Sequence, residues 1–408
     1  MTEQVVKLGD VADMLVGFAF KSEHFLTAID EGVKIVRGDN VQQGFIRWGD
    51  KTKKWRTDAA GDLGRYQLQL DDVILAMDRP IVGGGLKLAR IKEQDLPCLL
   101  VQRVTRIRGR PGVAQTNYLR CVLAAPGFVA HIDRITTGAN IPHISGKDIA
   151  SFEFRLPGID EQDRAIELIA AYDDLLETNQ RRIALLEESA RLLYREWFVS
   201  LRFPGHATAT KADGLPAGWC QQPIKEMVAF LNRGIAPKYD DAAPGTVINQ
   251  KCIRGGRLNL APARRQAKDV KPERMLQVGD VLINSTGAGT LGRVAQVRTT
   301  LENCTADTHV TIVRPIDIEC AGFLGVALLE LEPLFSTMGV GSTNQLELGR
   351  ADIGSHLMLT PTLVVQKRFH DQVWPLFNQV ETLAQSNTLL ATARDELLPK
   401  LMSGALQV

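Results

Sequence analysis

Residues 160–200 read DEQDRAIELIAAYDDLLETNQRRIALLEESARLLYREWFVS, and this stretch decides how the rest of the chain is read. Tyr172, Leu176, Asn179, Ile183, Leu186, Ala190 and Leu193 follow one another in alternating steps of four and three. That spacing is the narrow seam of a coiled coil, not the wider apolar stripe of a helix lying on a globular core. Asp160 stands where an N-cap is expected after Pro157-Gly158, and Phe203-Pro204-Gly205 cannot continue the helix. Roughly 40 residues at ~1.5 Å each make a rod of about 60 Å. A rod of that length in mid-chain reads as a spacer.

Working outward, the chain says the same thing twice. TGANIPHISGKDIASFEFRLPGIDEQDRAI resembles GSTNQLELGRADIGSHLMLTPTLVVQKRFH, so that Asn140 aligns with Asn344, Asp148 with Asp352, Pro157 with Pro361 and Gln162 with Gln366. The offset is 344 − 140 = 204 for all four pairs. Upstream, Asp72-Val73-Ile74 aligns with Asp280-Val281-Leu282. The repeating unit is far longer than a solenoid repeat, which makes it a duplicated domain followed by a helix. The second helix spans about 364–401, with a seam of Leu376, Val380, Leu383, Asn387, Leu390, Arg394 and Leu397, and with Pro375 either kinking it or beginning its regular part. Each seam carries one asparagine, Asn179 and Asn387, the residue type that fixes register in a coiled coil. A narrow seam is unstable alone in water, so the two helices are expected to pair with each other, antiparallel about a pseudo-twofold axis. The globular domains are then expected at opposite ends of the rod.

Within each copy, short β-branched runs bounded by glycine and polar turns predict strands. They fall near Val33–Val36, Val73–Met77, Leu99–Val101 and Val104–Ile107, then Val247–Ile248, Val281–Ile283, Val294–Val297 and Val310–Val313. The fold class is therefore α+β: two mixed domains, 1–156 and 204–357, separated by spacer helices at 157–203 and 358–408. The polar, Pro- and Gly-punctuated stretch 204–218 is the linker into the second domain.

Composition narrows the function. With 408 residues, 23% charged residues and a formal net charge of +1, the chain is neither disordered nor globally basic. No apolar run of eighteen residues occurs and MTEQVVKLGD is no signal peptide, so a cytoplasmic protein without membrane contact is expected. The 6 cysteines include no CxxC pair and the 7 histidines show no ligand spacing, which speaks against disulfides and bound metal. Gly287-Ala288-Gly289-Thr290-Leu291-Gly292 fits G-x-G-x-x-G, but the following RVAQVRT alternates like a strand, which predicts a hairpin turn. Walker A, Glu-x-Lys, G-x-S-x-G and H-E-x-x-H motifs are all missing, as is the Asn/Asp-Pro-Pro-aromatic tetrapeptide of adenine methyltransferases. That silence points to binding and scaffolding.

Local charge gives the positive signal. Lys and Arg outnumber Asp and Glu over 34–110 and over 246–298, and the balance reverses in the central helix. Lys51, Lys53, Lys54 and Arg56 surround Trp55; Arg254, Arg257, Arg264, Arg265 and Lys268 crowd the corresponding part of the second copy. Such loops suit phosphate contact together with base-edge reading, although a solvated charged face would look similar. The remaining candidates for DNA contact are Arg79, Arg103, Asn140 and His143 in the first copy, and Ser285, Thr286, Arg293 and Asn344 in the second. Asn140 and His143 lie in the loop 138–145, and Asn344 in its counterpart 341–345.

Several motifs carry a family resemblance. Glu196-Trp197-Phe198 through Phe203-Pro204-Gly205, Leu215-Pro216-Ala217-Gly218-Trp219, Gly279-Asp280-Val281-Leu282-Ile283 with Gly289–Ala295, and Leu397–Gly404 together resemble the specificity subunits of type I restriction-modification systems. The first copy departs from that pattern at Gly83-Gly84-Gly85, and Gln366 lacks the preceding Glu. The resemblance implies two target-recognition domains, each reading one half of a bipartite site in double-stranded DNA. It implies helices that set the spacing and dock two methyltransferase subunits, with restriction subunits completing the complex. Catalysis, S-adenosylmethionine, ATP and Mg belong to those partners; this chain is expected to be no enzyme and to bind no cofactor. A specificity chain of a fused-subunit restriction system and a coiled-coil protein-binding scaffold stay open as alternatives.

Overall fold

The fully apolar run Val73-Ile74-Leu75-Ala76 cannot lie on a sheet with one wet face. In the computed structural model its two faces are both covered. Val73 and Leu75 pack with Leu119, Leu123, Phe128 and Ile132, whereas Ile74 and Ala76 pack with Val36, Val41 and Leu100. The structure describes the chain outside residues 1–3, 50–51, 57–62, 83–84, 137–141, 209–210, 213, 288, 342–345, 404 and 407–408. It divides into two units, 1–177 with 388–408, and 178–387.

In the first unit, Ala12–Val16, Val104–Gly109, Val73–Ala76 and Leu88–Arg90 form, in that order, an antiparallel sheet. A second sheet orders Lys54–Trp55, Val33–Val36 and Cys98–Leu100, the last two parallel. Gln4–Lys7 pairs with Glu153–Leu156, which ties the start of the chain to the strand leading into the central helix.

The second unit carries sheets of the same order. Val228–Arg233, Val310–Pro315, Val281–Asn284 and Val294–Gln296 form the antiparallel sheet. Arg264–Gln266, Gly245–Ile248 and Cys304–Ala306 form the other, again with the last two parallel. Cys220–Pro223 pairs with Leu357–Thr360. Asp72 and Asp280 open the equivalent strands, and each is buried against an arginine. Arg108 Nη2 donates to Asp72 at 2.8 Å, and Arg314 Nε and Nη2 donate to Asp280 at 2.7 and 2.8 Å. Burial raises the Asp280 pKa against the opposing pull of Arg314. The glycine motif is the turn between Val281–Asn284 and Val294–Gln296, with no dinucleotide-type helix after it. Gly292 has φ 77°, and a Cβ there would meet Ser336 N at 2.4 Å.

The central helix spans Ile159–Tyr194 and ends in a π-helical turn, Arg195–Val199. It begins two residues earlier than an N-cap at Asp160 would place it. Asp160 lies in its first turn instead of capping it, and the Gly158 carbonyl accepts from both Glu161 N and Gln162 N at 3.0 Å. The C-terminal helix is continuous from Leu363 to Ser403, so Pro375 is internal and does not begin it. Gln162 is fully buried. Its amide donates to the Pro157 and Val113 carbonyls at 2.8 and 3.1 Å and accepts from Gln115 N at 2.8 Å, fastening the helix start to the globular part. Gln366 repeats the first of these hydrogen bonds, to Pro361 O at 2.9 Å.

Segments of both helices run antiparallel in each unit. In the first, Ile169 packs with Leu398 and Leu401, and Arg394 pairs with Asp173 at 2.9 Å. In the second, Ile183 and Leu186 pack with Val380 and Leu383, while Leu193 and Leu376 join the large core around Phe323 and Phe369. Tyr172, Leu176, Leu390 and Leu397 are half-buried. No helix among the described residues is long and apolar enough to cross a membrane.

Candidate functional site

Polar side chains gather where the strand Val73–Ala76 ends. Met77 N donates to Arg103 O at 2.8 Å and Ile144 N donates to Met77 O at 3.0 Å, so three distant segments are pinned around Asp78. Arg103 Nη1 donates to Asp78 Oδ2 at 2.8 Å, and His143 Nδ1 lies 2.6 Å from Asp78 Oδ1. Partial burial works to raise the Asp78 pKa, but the hydrogen bonds from Arg103 and His143 outweigh it and hold the carboxyl below its ordinary value. Arg79 follows, its amide bonded to Pro142 O at 2.8 Å and its side chain exposed. Lys87 interacts electrostatically with Asp78 while its Nζ donates to Gly38 O at 3.1 Å, and burial pushes its pKa down.

The second unit uses the same frame. Ser285 N donates to His309 O and Leu348 N donates to Ser285 O, both at 2.8 Å. Position by position, Ser285 stands for Met77, Thr286 for Asp78, Gly287 for Arg79 and His309 for Arg103. Thr286 Oγ1 bonds His309 Nδ1 at 2.8 Å and accepts from Gln250 Nε2. Arg293 Nη2 donates to Gly289 O at 2.8 Å. The frame is shared and the polar groups on it differ.

Of the basic residues singled out from sequence, Lys54, Arg264 and Arg265 lie on edge strands of the three-stranded sheets. Lys54 pairs with Lys34 as Arg265 pairs with Thr246, the same register position in each unit. Lys54 Nζ donates to Asp30 O at 2.7 Å, Lys53 is half-buried and Arg56 is exposed. Arg264 stacks on Tyr239 at 3.6 Å from the ring centroid, Arg265 Nη1 donates to Pro244 O at 3.1 Å, and Lys268 Nζ donates to Ala236 O at 3.1 Å. Arg254 is exposed on the small hairpin that follows Gly245–Ile248.

Two sequence-derived candidates do not reach this surface. Ser285 is fully buried, its hydroxyl 2.5 Å from Thr311 Oγ1, because it continues the inward face of Val281 and Ile283. Arg257 is held bidentately by Glu187 of the central helix, both bonds at 2.7 Å. Lys51, Asn140 and Asn344 lie outside the described residues. Asp78, Lys87, Gln250 and His309 do not stand out in the sequence; only the strand-end position of Asp78 and Thr286 in both copies marks them.

The type I restriction modification DNA specificity domain model matches residues 2–188. The match covers 187 of the 408 residues, a little under half of the chain. The matched residues contain the whole Asp78–Arg103–His143 cluster. The specificity subunit of the type I restriction enzyme EcoAI of Escherichia coli is 34% identical over 172 residues, 42% of this chain and 28% of that protein. The MjaVIII specificity subunit of Methanocaldococcus jannaschii is 28% identical over 46% of this chain and 43% of its own length, so the aligned stretch spans less than half of either relative. The EcoBI specificity subunit of Escherichia coli is 24% identical over 98% of this chain and 85% of its own length. The type I restriction-modification S subunit from M. genitalium shares the fold, with a TM-score of 0.60 at 16% identity over 98% of this chain and 96% of that one. Over its whole length, then, the chain is similar to type I specificity subunits.

Proposed function

We propose that this chain is the DNA specificity subunit of a type I restriction-modification complex. In this reading, 1–156 and 204–357 are duplicated target-recognition domains, and each reads one half of a bipartite target. The helices in 157–203 and 358–408 pair as a coiled coil, set the gap between the half-sites and dock two methyltransferase subunits. The observation that carries it is the shared frame at Met77 and Ser285 dressed with different groups: Asp78, Arg79 and Arg103 on one, Thr286, Gly287 and His309 on the other. Constant backbone with exchanged hydrogen-bonding side chains is what reading two different base sequences requires.

The chain itself is non-catalytic and cytoplasmic. S-adenosylmethionine, ATP and Mg are held by the methyltransferase and restriction subunits. The test is selection of random duplex DNA by the chain in complex with its methyltransferase subunits. Two blocks of fixed bases separated by a constant gap are expected. Retention without sequence preference would leave a protein-binding scaffold instead.

A further inference from the structure

Five non-glycine residues among the described ones have a left-handed backbone, and two of them, Arg79 (φ 44°) and Arg103 (φ 65°), belong to the Asp78 cluster. Long side chains rarely occupy that region, and where they do the strain is usually kept for a function. The second unit shows what the frame itself prefers. Gly287 stands at the position of Arg79 and has φ 103°. The first unit therefore carries an arginine at a place where the backbone favours glycine. The Arg79 side chain is exposed and forms no hydrogen bond or ion pair among the described residues.

Arg103 is placed differently. Its side chain is 67% exposed, yet its Nη1 is fixed by Asp78 Oδ2 at 2.8 Å, and Asp78 is fixed in turn by His143 at 2.6 Å. A carboxylate that holds one nitrogen orients the planar guanidinium, and the Nη2 and Nε donors of this exposed side chain have no hydrogen-bond partner among the described residues. Two parallel donors on a fixed plane match the O6 and N7 acceptors of guanine in the major groove, and no other base presents that pair. Phosphate contact needs neither the buttress nor the strained backbone.

We infer that Arg79 and Arg103, the latter oriented by Asp78, are guanine-reading side chains of the first recognition domain, so that its half-site contains guanine. The second domain has glycine and histidine at these positions and reads its half-site without them. This rests on the specificity-subunit reading.

The experiment is random-duplex selection by the full chain with its methyltransferase subunits, comparing wild type with Arg79→Gly, Arg103→Lys and Asp78→Asn. Arg103→Lys keeps the charge and loses the fork. It is expected to erase one guanine from the first half-site, with about 5- to 150-fold lower discrimination there and the other positions intact. Asp78→Asn should weaken preference at that same position. Arg79→Gly installs the residue the backbone favours, so its fold is at least as stable as wild type, and it should erase a different guanine. An unchanged target for Arg103→Lys and Arg79→Gly, or a loss of affinity spread evenly over all sequences, overturns the assignment. A wild-type chain that selects no sequence at all removes the specificity reading, and this inference with it.

Discussion

Asn179 donates its side-chain amide to Asn387 Oδ1 at 2.9 Å, and Asn179 is only 3% exposed. Ile183, Val380 and Leu383 pack beside the pair. An apolar pair would be more stable there, but two amides meet in one register only. Asn179→Leu leaves Asn387 without its partner and should lower stability by about 1–3 kcal/mol. The double change Asn179→Leu with Asn387→Leu should recover that stability or exceed wild type, while admitting shifted or oligomeric forms. Urea unfolding of the double-mutant cycle, together with light scattering, checks both halves.

Arg298 is nearly buried over Phe377, 3.9 Å from the ring centroid, with Glu187 at 3.6 Å and Glu381 at 3.8 Å. Burial lowers its pKa against the pull of those two carboxylates. Glu187 also holds Arg257, so one carboxylate on the central helix anchors two arginines of the second globular domain. Glu187→Gln should cost about 1–3 kcal/mol, because it leaves buried Arg298 with Glu381 alone and removes the charged acceptor of Arg257. Arg298→Met fills a similar volume without charge and should be neutral or stabilising. Denaturant unfolding of the two variants side by side decides whether desolvation or packing dominates.

His370 Nδ1 accepts a hydrogen bond from Gly322 N at 3.2 Å, and the ring stacks on Trp374 at 4.8 Å. An accepting Nδ1 requires it to stay unprotonated, and burial lowers the folded pKa below the usual 6.5. The unfolded chain therefore binds more protons near pH 6 than the folded one. The stabilisation is fully present above pH 6.5 and is lost as pH falls through the lower folded value. His370→Asn should flatten that slope between neutral and mildly acidic pH. Tryptophan-monitored urea unfolding at several pH values measures it.

The helices and the repeat are legible in the sequence for a physical reason. A seam must recur with the turn of the helix, and Asp72, Asp280, Gln162 and Gln366 keep their types because each is buried against a fixed partner. The polar clusters are not legible because they are made by pairs far apart in the chain. Asp78 meets Arg103 across 25 positions and His143 across 65, with no period to announce it. Arg257 reads as a free basic loop residue because counting charges does not reveal that Glu187, 70 residues earlier, already holds it. Ser285 is a different case: alternation from Val281 and Ile283 already turns it inward.

Lys54 and Arg265 occupy the same register position on their edge strands, and their partners are backbone carbonyls together with, for Arg265, the Thr246 hydroxyl 3.2 Å away. Neither is tied to a carboxylate by those hydrogen bonds, so the charge remains available to an anion. If these strands flank the duplex, Lys54→Ala and Arg265→Ala should weaken binding on all sequences alike. The slope of log K against log salt should become shallower by about 0.9 for each phosphate that the variant no longer neutralises. The selected bases should stay as in wild type, because phosphate contacts position the protein without specifying sequence. Titrations of one cognate and one scrambled duplex over a range of salt concentrations separate the cases. A slope equal to wild type with weaker binding to the cognate alone would move these residues from the phosphates to the base edges.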